Sequence, residues 1–386
     1  MEYDVIIAGA SFAGLAVAAQ LRGKRVLVLD RKPIGTGQTS ACGTLVSTLR
    51  ALQLEEAILQ VHDQLVVHTP GRTYVYPMPE PFCTFDYPKL CHLLWEQGDA
   101  EFVQVPALGL EGQHVLTPKG AYRGRVIVDA SGWRAALGAS LRPELVRRDR
   151  LNFGLETTLV YQDDGLHFWY DPRGLLPMGV TWVFPIGRFS RIGVGSYLGD
   201  TRLIRTLDRF LDDLGLQRDG IHGGYFPYEL RDPVVDDLLL VGDAAGQCLA
   251  LTGEGIRPAL FFGTHLGRLI RDALDGNLPL DYVKTQYREL VLARKAGYDL
   301  LTRLQRLLPR MPMPVVQSLL ALVRQPPILQ RAMRRYIRAF ALPHPEEYIR
   351  HHASRSPYTA GWESGNGAAL PPSASFPSHQ SEDVRG

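Results

Sequence analysis

The chain has 386 residues, 45% apolar and 21% charged. That is the balance of a globular protein long enough for two joined domains, and it excludes a disordered or fibrous chain. The net charge of +2 hides an asymmetry: residues 284–338 hold twelve Lys/Arg against two acids, a local +10, so the remainder sums to −8. No apolar run approaches the ~18 residues of a membrane span.

The first strand starts at residue 3, so no signal peptide is expected. Cys42, Cys83, Cys91 and Cys248 lack C-x-x-C spacing and read as reduced thiols of a cytoplasmic protein. The eleven histidines lack ligand spacing, so no metal is expected.

In chain order, the apolar strand Val5-Ile6-Ile7-Ala8 runs into Gly9-Ala10-Ser11-Phe12-Ala13-Gly14 and a helix-forming stretch through residue 21. A second apolar strand, residues 25–29, ends at Asp30-Arg31. This is a βαβ unit of about 30 residues with an acid near the offset of a dinucleotide site. Gly9 permits the tight turn and Gly14 the close helix–strand packing, while the helix N-terminus offers N–H groups to a pyrophosphate. Ser11 stands where a second glycine is usual; its hydroxyl can donate to a phosphate, but its Cβ takes room.

A glycine loop (Gly35, Gly37) and Cys42-Gly43 follow, then a helix-like stretch over 45–60. Strands are expected at 65–68 and 73–76, a helix at 87–97, and a short strand at 102–105 with Val103 and Val105. A meander ends in Val126-Ile127-Val128 and the turn Asp129-Ala130-Ser131-Gly132, followed by Trp133-Arg134.

Residues 151–228 read as an antiparallel sheet with strands at 155–161, 166–170, 180–184 and 191–197 and a helix at 201–214. Trp182 and Phe184 alternate on one of these strands, as sheet core or as pocket wall. The buried strand 238–241 then runs into Gly242-Asp243-Ala244-Ala245, and Leu251-Thr252-Gly253-Glu254-Gly255-Ile256 opens a helix to about residue 275. Residues 281–352 are mostly helical, and the Ser/Pro/Gly-rich tail from 353 is expected to be disordered.

Three strand-to-turn units, at Gly9, Asp129 and Asp243, suit a long, folded-back ligand at the carboxyl ends of a parallel sheet. The set resembles the FAD-binding flavoproteins with a p-hydroxybenzoate hydroxylase-like fold, and within them the geranylgeranyl reductase family. The likeness spans roughly residues 3–300. Its closest stretch is Val241-Gly242-Asp243-Ala244-Ala245-Gly246 with Thr252-Gly253-Glu254-Gly255-Ile256.

The resemblance implies an α/β fold. A Rossmann-like FAD-binding domain of glutathione reductase type (1–60, 86–150, 229–280) would carry an inserted antiparallel substrate sheet (61–85, 151–228) and a C-terminal helical region (281–352). It also implies roles. Gly9, Ser11, Phe12, Ala13 and Gly14 would hold the pyrophosphate, Asp30 the ribose, and Arg31 and Val105 the adenine. Asp129, Gly132, Gly242 and Asp243 would line the rest of the cofactor, with Asp243 on a ribityl hydroxyl. Cys42-Gly43 and Gly253, Gly255 and Ile256 would border the flavin, Cys42 and Glu254 acting in catalysis and Trp182 and Phe184 lining the pocket.

The implied activity is FAD-dependent saturation of carbon–carbon double bonds in a prenyl lipid, with NAD(P)H or another reductant as electron donor. An aromatic monooxygenase or halogenase, and a redox-neutral carotenoid-type cyclase, are the alternatives. The basic 284–338 segment, with its leucine pairs, is either a solvated helical cap or a peripheral membrane surface at the inner membrane face. No nucleic-acid motif is present.

Overall fold

A computed structural model describes residues 2–171, 176 and 178–342. The expected 353–386 tail lies outside them. The chain opens with β1 (Glu2–Ala8), α1 (Phe12–Ala18), β2 (Val26–Asp30), β3 (Gly43–Leu45) and α2 (Val46–Ala51). The long hairpin β4 (Ile58–Thr69) and β5 (Arg72–Phe85) leads to α3 (Tyr87–Glu96), whose start is capped by Asp86 accepting from the Lys89 N–H at 2.8 Å. Then come β6 (Glu101–Gln104), β7 (Gly109–Glu111), β8 (His114–Thr117), β9 (Gly120–Asp129) and α4 (Ala136–Leu141).

The second β block comprises β10 (Leu151–Val160), β11 (Leu166–Trp169), β12 (Gly179–Ile186), β13 (Phe189–Ser196), α5 (Ile204–Asp213) and β14 (His222–Pro227). The chain closes with β15 (Val234–Val235), β16 (Leu238–Leu240) and five helices: α6 (Ile256–Leu274), α7 (Leu280–Leu292), α8 (Lys295–Leu307), α9 (Met313–Val323) and α10 (Pro326–Ala339).

Two sheets organise these elements. The first runs β15-β16-β9-β1-β2-β6, with the β7–β8 hairpin joined to β9. Its central pairs β16–β9, β9–β1, β1–β2 and β2–β6 are parallel. Both faces of β1 are buried, Val5 and Ile7 on the side of α1, α3 and α6, and Ile6 and Ala8 on the other. That explains a continuous rather than alternating apolar run.

The second sheet runs β14-β10-β13-β12-β11-β4-β5-β3. One face packs on α5 through Leu155, Val183, Ile192, Val194 and Leu207. Further along, Tyr74 and Tyr76 of β5 pack against Leu329 of α10, and the Tyr76 hydroxyl donates to the Leu320 carbonyl at 2.9 Å. The sheet is antiparallel except for β11 and β4, which pair parallel with Leu166 opposite Leu65. The β4–β5 hairpin leaves for the first sheet before β10 begins, so no tight turn dictates its direction.

Two expected helices are shorter in fact. The stretch 45–60 holds α2, which stops where Gln53 adopts φ +58° and the Leu54 N–H reaches back to the Leu49 carbonyl at 2.9 Å, and a single 3-10 turn at Glu55–Ala57. Ile58 already pairs in β4. Likewise α6 starts at Ile256 and not at 251, because Leu251 (φ +67°) and Gly253 (φ +64°) are left-handed.

Candidate functional site

Register aligns the three turns. Ala8 of β1 and Leu240 of β16 both lie beside Asp129 of β9, so the chain leaves all three strands in one row at their carboxyl ends. The turns then pack on one another. A Cβ on Gly9 (φ +116°) would lie 2.2 Å from the Ala130 oxygen, and one on Gly14 would lie 2.0 Å from the Gly9 oxygen. A Cβ on Gly242 (φ +66°) would lie 2.7 Å from that of Ala13. Each contact is shorter than real Cβ atoms tolerate, so these glycines set the spacing of the whole row.

The side chains around the row divide into satisfied and open groups. The Asp30 carboxylate at the end of β2 accepts from the Ala10 N–H at 2.8 Å and the Lys32 N–H at 2.9 Å. Ser11 caps no N–H; its hydroxyl lies 3.2 Å from that of Tyr87. Its φ of −124° is ordinary for an L-residue, so no second glycine is required by conformation. Phe12 lies edge-on to Phe85 and Tyr87. Arg31 is exposed, Val103 half-buried and Val105 buried under the first sheet.

Asp129, expected to line the cofactor, is bonded within the chain. Its carboxylate is fully buried and accepts four hydrogen bonds from the chain itself: the Ser131 N–H (3.0 Å) and hydroxyl (2.6 Å), and the Leu137 (2.9 Å) and Gly138 (2.8 Å) N–H groups. Burial pushes the carboxyl above its usual range, and the four donors pull against that push. Asp129 therefore shapes the 130–138 turn and caps α4.

Asp243 is the opposite case. Among the described residues nothing donates to its carboxylate, and burial pushes it up to about 6 against the downward pull of Arg231. A Cβ on Gly132 (φ +81°) would meet nothing within 4 Å. A half-buried carboxylate with no donor among the described residues, and open space beside the row, are what a hydroxyl-bearing nucleotide such as FAD would fill.

Sequence reasoning missed Arg231. Its guanidinium donates to the Trp133 carbonyl (3.2 Å) and to those of Ala244 (3.1 Å) and Asp243 (3.4 Å). It joins the second and third turns from a loop with no motif of its own.

The two expected catalytic residues both make contacts within the chain. Cys42 is wholly buried at φ +55°, and its thiol donates to the Ser40 carbonyl at 3.2 Å. Burial pushes the thiol far up, despite nearby Arg191, so it is neither a ready acid nor a thiolate. Glu254 is committed to Arg257, with contacts of 2.7 and 2.8 Å, and to the Tyr336 hydroxyl. Arg257 is itself fully buried and donates to the Tyr336 and Ile337 carbonyls. This cluster ties α10 to the start of α6. Gly255, the N-cap of α6, lies beside Asp243: a Cβ there would be 3.7 Å from its carboxylate and 3.4 Å from the Cys248 sulfur. Ile256 is buried in the first core.

Trp182 and Phe184 face away from α5, on the side opposite buried Val183. The Trp182 ring lies over Gly193, Gly195 and Gly154; a Cβ on Gly193 would be 2.3 Å from it. Its indole N–H donates to buried Glu156 at 3.2 Å, and the other carboxylate oxygen pairs with His222 Nε2 at 2.6 Å. Phe184 packs against Gly43, where a Cβ would be 2.9 Å from its ring. At the sheet edge Tyr225 stacks edge-on to Trp133, and Phe226 lies against Gly253. Arg134 lies over the Trp133 ring at 4.5 Å. The face that carries Trp182 thus meets the Cys42-Gly43 loop through Phe184 and the Gly253 turn through Phe226, while Tyr225 reaches Trp133 from the opposite face.

No protein-family model matches the chain. Among curated proteins it is similar to digeranylgeranylglycerophospholipid reductase 2 of Methanopyrus kandleri, 27% identical over 329 residues, 71% of this chain and 78% of that protein. It is also similar to the digeranylgeranylglycerophospholipid reductase of Thermoplasma volcanium, 25% identical over 338 residues, 76% of this chain and 84% of that one. Among solved structures, a geranylgeranyl bacteriochlorophyll reductase-like protein of Thermoplasma acidophilum superposes with a TM-score of 0.75 at 21% identity, covering 92% of this chain and 99% of its own. A flavin-dependent brominase superposes at 0.67 with 15% identity, covering 92% and 100%. The likeness to these two structures is one of fold.

Proposed function

We propose that the chain belongs to the geranylgeranyl reductase family and catalyses the FAD-dependent saturation of carbon–carbon double bonds in an isoprenoid lipid. When bound, reduced FAD supplies the two electrons that such a saturation consumes. The chain's residues bind and orient. The Gly9–Gly14 turn and Ser11 would hold the pyrophosphate, Asp30 and Arg31 the adenosine end, and Asp243 the ribityl chain. Gly253 and Gly255 would let the start of α6 approach the flavin ring.

The observation that carries the substrate side is the flat apolar floor of Trp182 on three glycines, facing the Cys42-Gly43 loop. A flat floor without branched side chains suits an extended prenyl chain. Glu156, held in turn by His222, keeps the indole from rotating off that floor. Cys42 contributes shape beside it, and its buried thiol offers no ready proton. NAD(P)H or another reductant would reload the flavin.

Among the described residues no helix is long and apolar enough to cross a membrane. Access to a lipid would come from the surface of α8–α10. There Leu300, Leu307, Val315, Leu319 and Leu322 are exposed among Arg303, Arg306, Arg310 and Arg324. Basic residues beside apolar ones favour docking on an anionic bilayer.

The test is direct. Purified protein should release FAD on denaturation, and with a reductant it should convert a geranylgeranyl lipid to a more saturated product. Oxygen insertion into an aromatic compound, with the lipid untouched, would favour the hydroxylase reading instead.

A further inference from the structure

We propose that Arg231 is a positioning residue of the cofactor site, which clips the second and third turns together and sets its positive charge beside Asp243, the acceptor for a ribityl hydroxyl. The inference rests on the FAD reading above and adds a residue and a charge relation to it.

The clip is geometric. The Arg231 N–H donates to the Ala245 carbonyl at 2.9 Å, while the guanidinium spans to the Trp133 carbonyl on one side and the Asp243 and Ala244 carbonyls on the other. The main chain is as close: a Cβ on Gly246 (φ +67°) would lie 2.0 Å from the Glu229 oxygen. A guanidinium is suited to this because its fixed fork reaches several carbonyls at once; an ammonium on the same stem cannot. The turns at 129–134 and 242–246 leave the paired strands β9 and β16, whose register stops at Asp129 and Leu240, and the clip carries the connection on beyond the last strand residues.

The charge relation follows from what surrounds Asp243. Arg231 is the cation that acts on it. The other groups nearby are Asp129 and Glu229, both also acting on Arg231, the Cys248 thiol, and the mutually paired Glu254 and Arg257 at the start of α6. The α1 segment packed against the turn carries no titratable side chain. Even with Arg231 in place, burial leaves Asp243 titrating at about 6. A carboxylate raised in this way is the ionised acceptor above that pH and loses the role as pH falls through it. Taking away the arginine's charge moves that loss to higher pH.

The experiment titrates FAD into the full chain, stripped of flavin, and follows flavin fluorescence from pH 5 to 9. Wild type, Arg231→Met and Arg231→Lys are compared. Wild-type affinity should be level above neutrality and fall towards pH 6. Arg231→Met should bind FAD about tenfold or more weakly at pH 7, the weight of one charge-assisted hydrogen bond, and recover much of that by pH 9. Arg231→Lys should bind more weakly at every pH but keep the wild-type midpoint, because it retains the charge and loses the clip. A midpoint unmoved in Arg231→Met, or moved equally in both variants, overturns the charge relation. Wild-type affinity in both variants overturns the clip. A wild-type chain that takes up no FAD overturns the cofactor reading itself, which is a separate and visible failure.

Discussion

Replacing Asp129 tests whether it is a ligand of the cofactor or a brace for the turn beside it. In Asp129→Ala, three backbone N–H groups, those of Ser131, Leu137 and Gly138, lose their acceptor together with the Ser131 hydroxyl. The site is fully buried, so no bulk solvent replaces the carboxylate. Each stranded buried donor costs about 1–3 kcal/mol. Relaxation of the Ser131 rotor and entry of a water offset part of this, which leaves about 4 kcal/mol of lost stability. Asp129→Asn keeps the volume but turns an amide NH2 towards one pair of donors, so about half of that loss is expected. Urea unfolding of the flavin-free chain measures both values. A brace predicts that both variants are destabilised before any cofactor is added, with Ala worse than Asn. Flavin-free variants as stable as wild type, but deficient in FAD uptake, would refute the brace and restore the ligand.

Three further outcomes are expected. Gly193→Ala places a Cβ into the Trp182 ring, so about 1–3 kcal/mol of overpacking and a shifted tryptophan emission should result; unchanged values would mean that the indole does not lie on that floor. His62 is 2% exposed, and burial pulls its pKa down to about 4. It therefore contributes stability that is complete above about 6.5 and lost as pH falls through 4, about 3 kcal/mol in all. His62→Gln should flatten that slope in pH-dependent unfolding, and an unchanged slope counts against it. Binding to anionic vesicles should be measurable at low salt and fade as salt rises, while neutral vesicles bind weakly; a protein indifferent to anionic vesicles contradicts the proposed lipid access.

The parts that were legible in the sequence are those where a strand runs straight into a glycine turn. Residues 5–14 and 238–243 show this because a parallel strand buried on both faces has no polar alternation, and a tight turn after it needs left-handed residues. The alternating strands 155–161 and 180–184 were legible for the complementary reason, having one face on α5 and one on the other half of the protein. What stayed hidden depends on contacts far apart in the chain. Glu254 reads as a near-flavin acid until Tyr336, 82 residues away, is seen bonded to it. Asp129 reads as a ligand because its four donors come from a turn whose path no motif records. Gly193 and Gly195 alternate on one strand, but Gly154 looks unrelated to them, and only strand register brings it and Trp182 to the same place. Gln53 and Leu251 carry no glycine signal at all, yet their left-handed backbones end one helix and delay another.

The most direct measurement loads the protein with FAD, reduces it without oxygen and mixes it in a single turnover with a geranylgeranyl lipid or its saturated counterpart. The account predicts that the unsaturated lipid alone returns the flavin to its oxidised spectrum, with two hydrogens gained by lipid for each flavin reoxidised. A flavin that stays reduced with either lipid, and reoxidises only when oxygen is admitted, would contradict it.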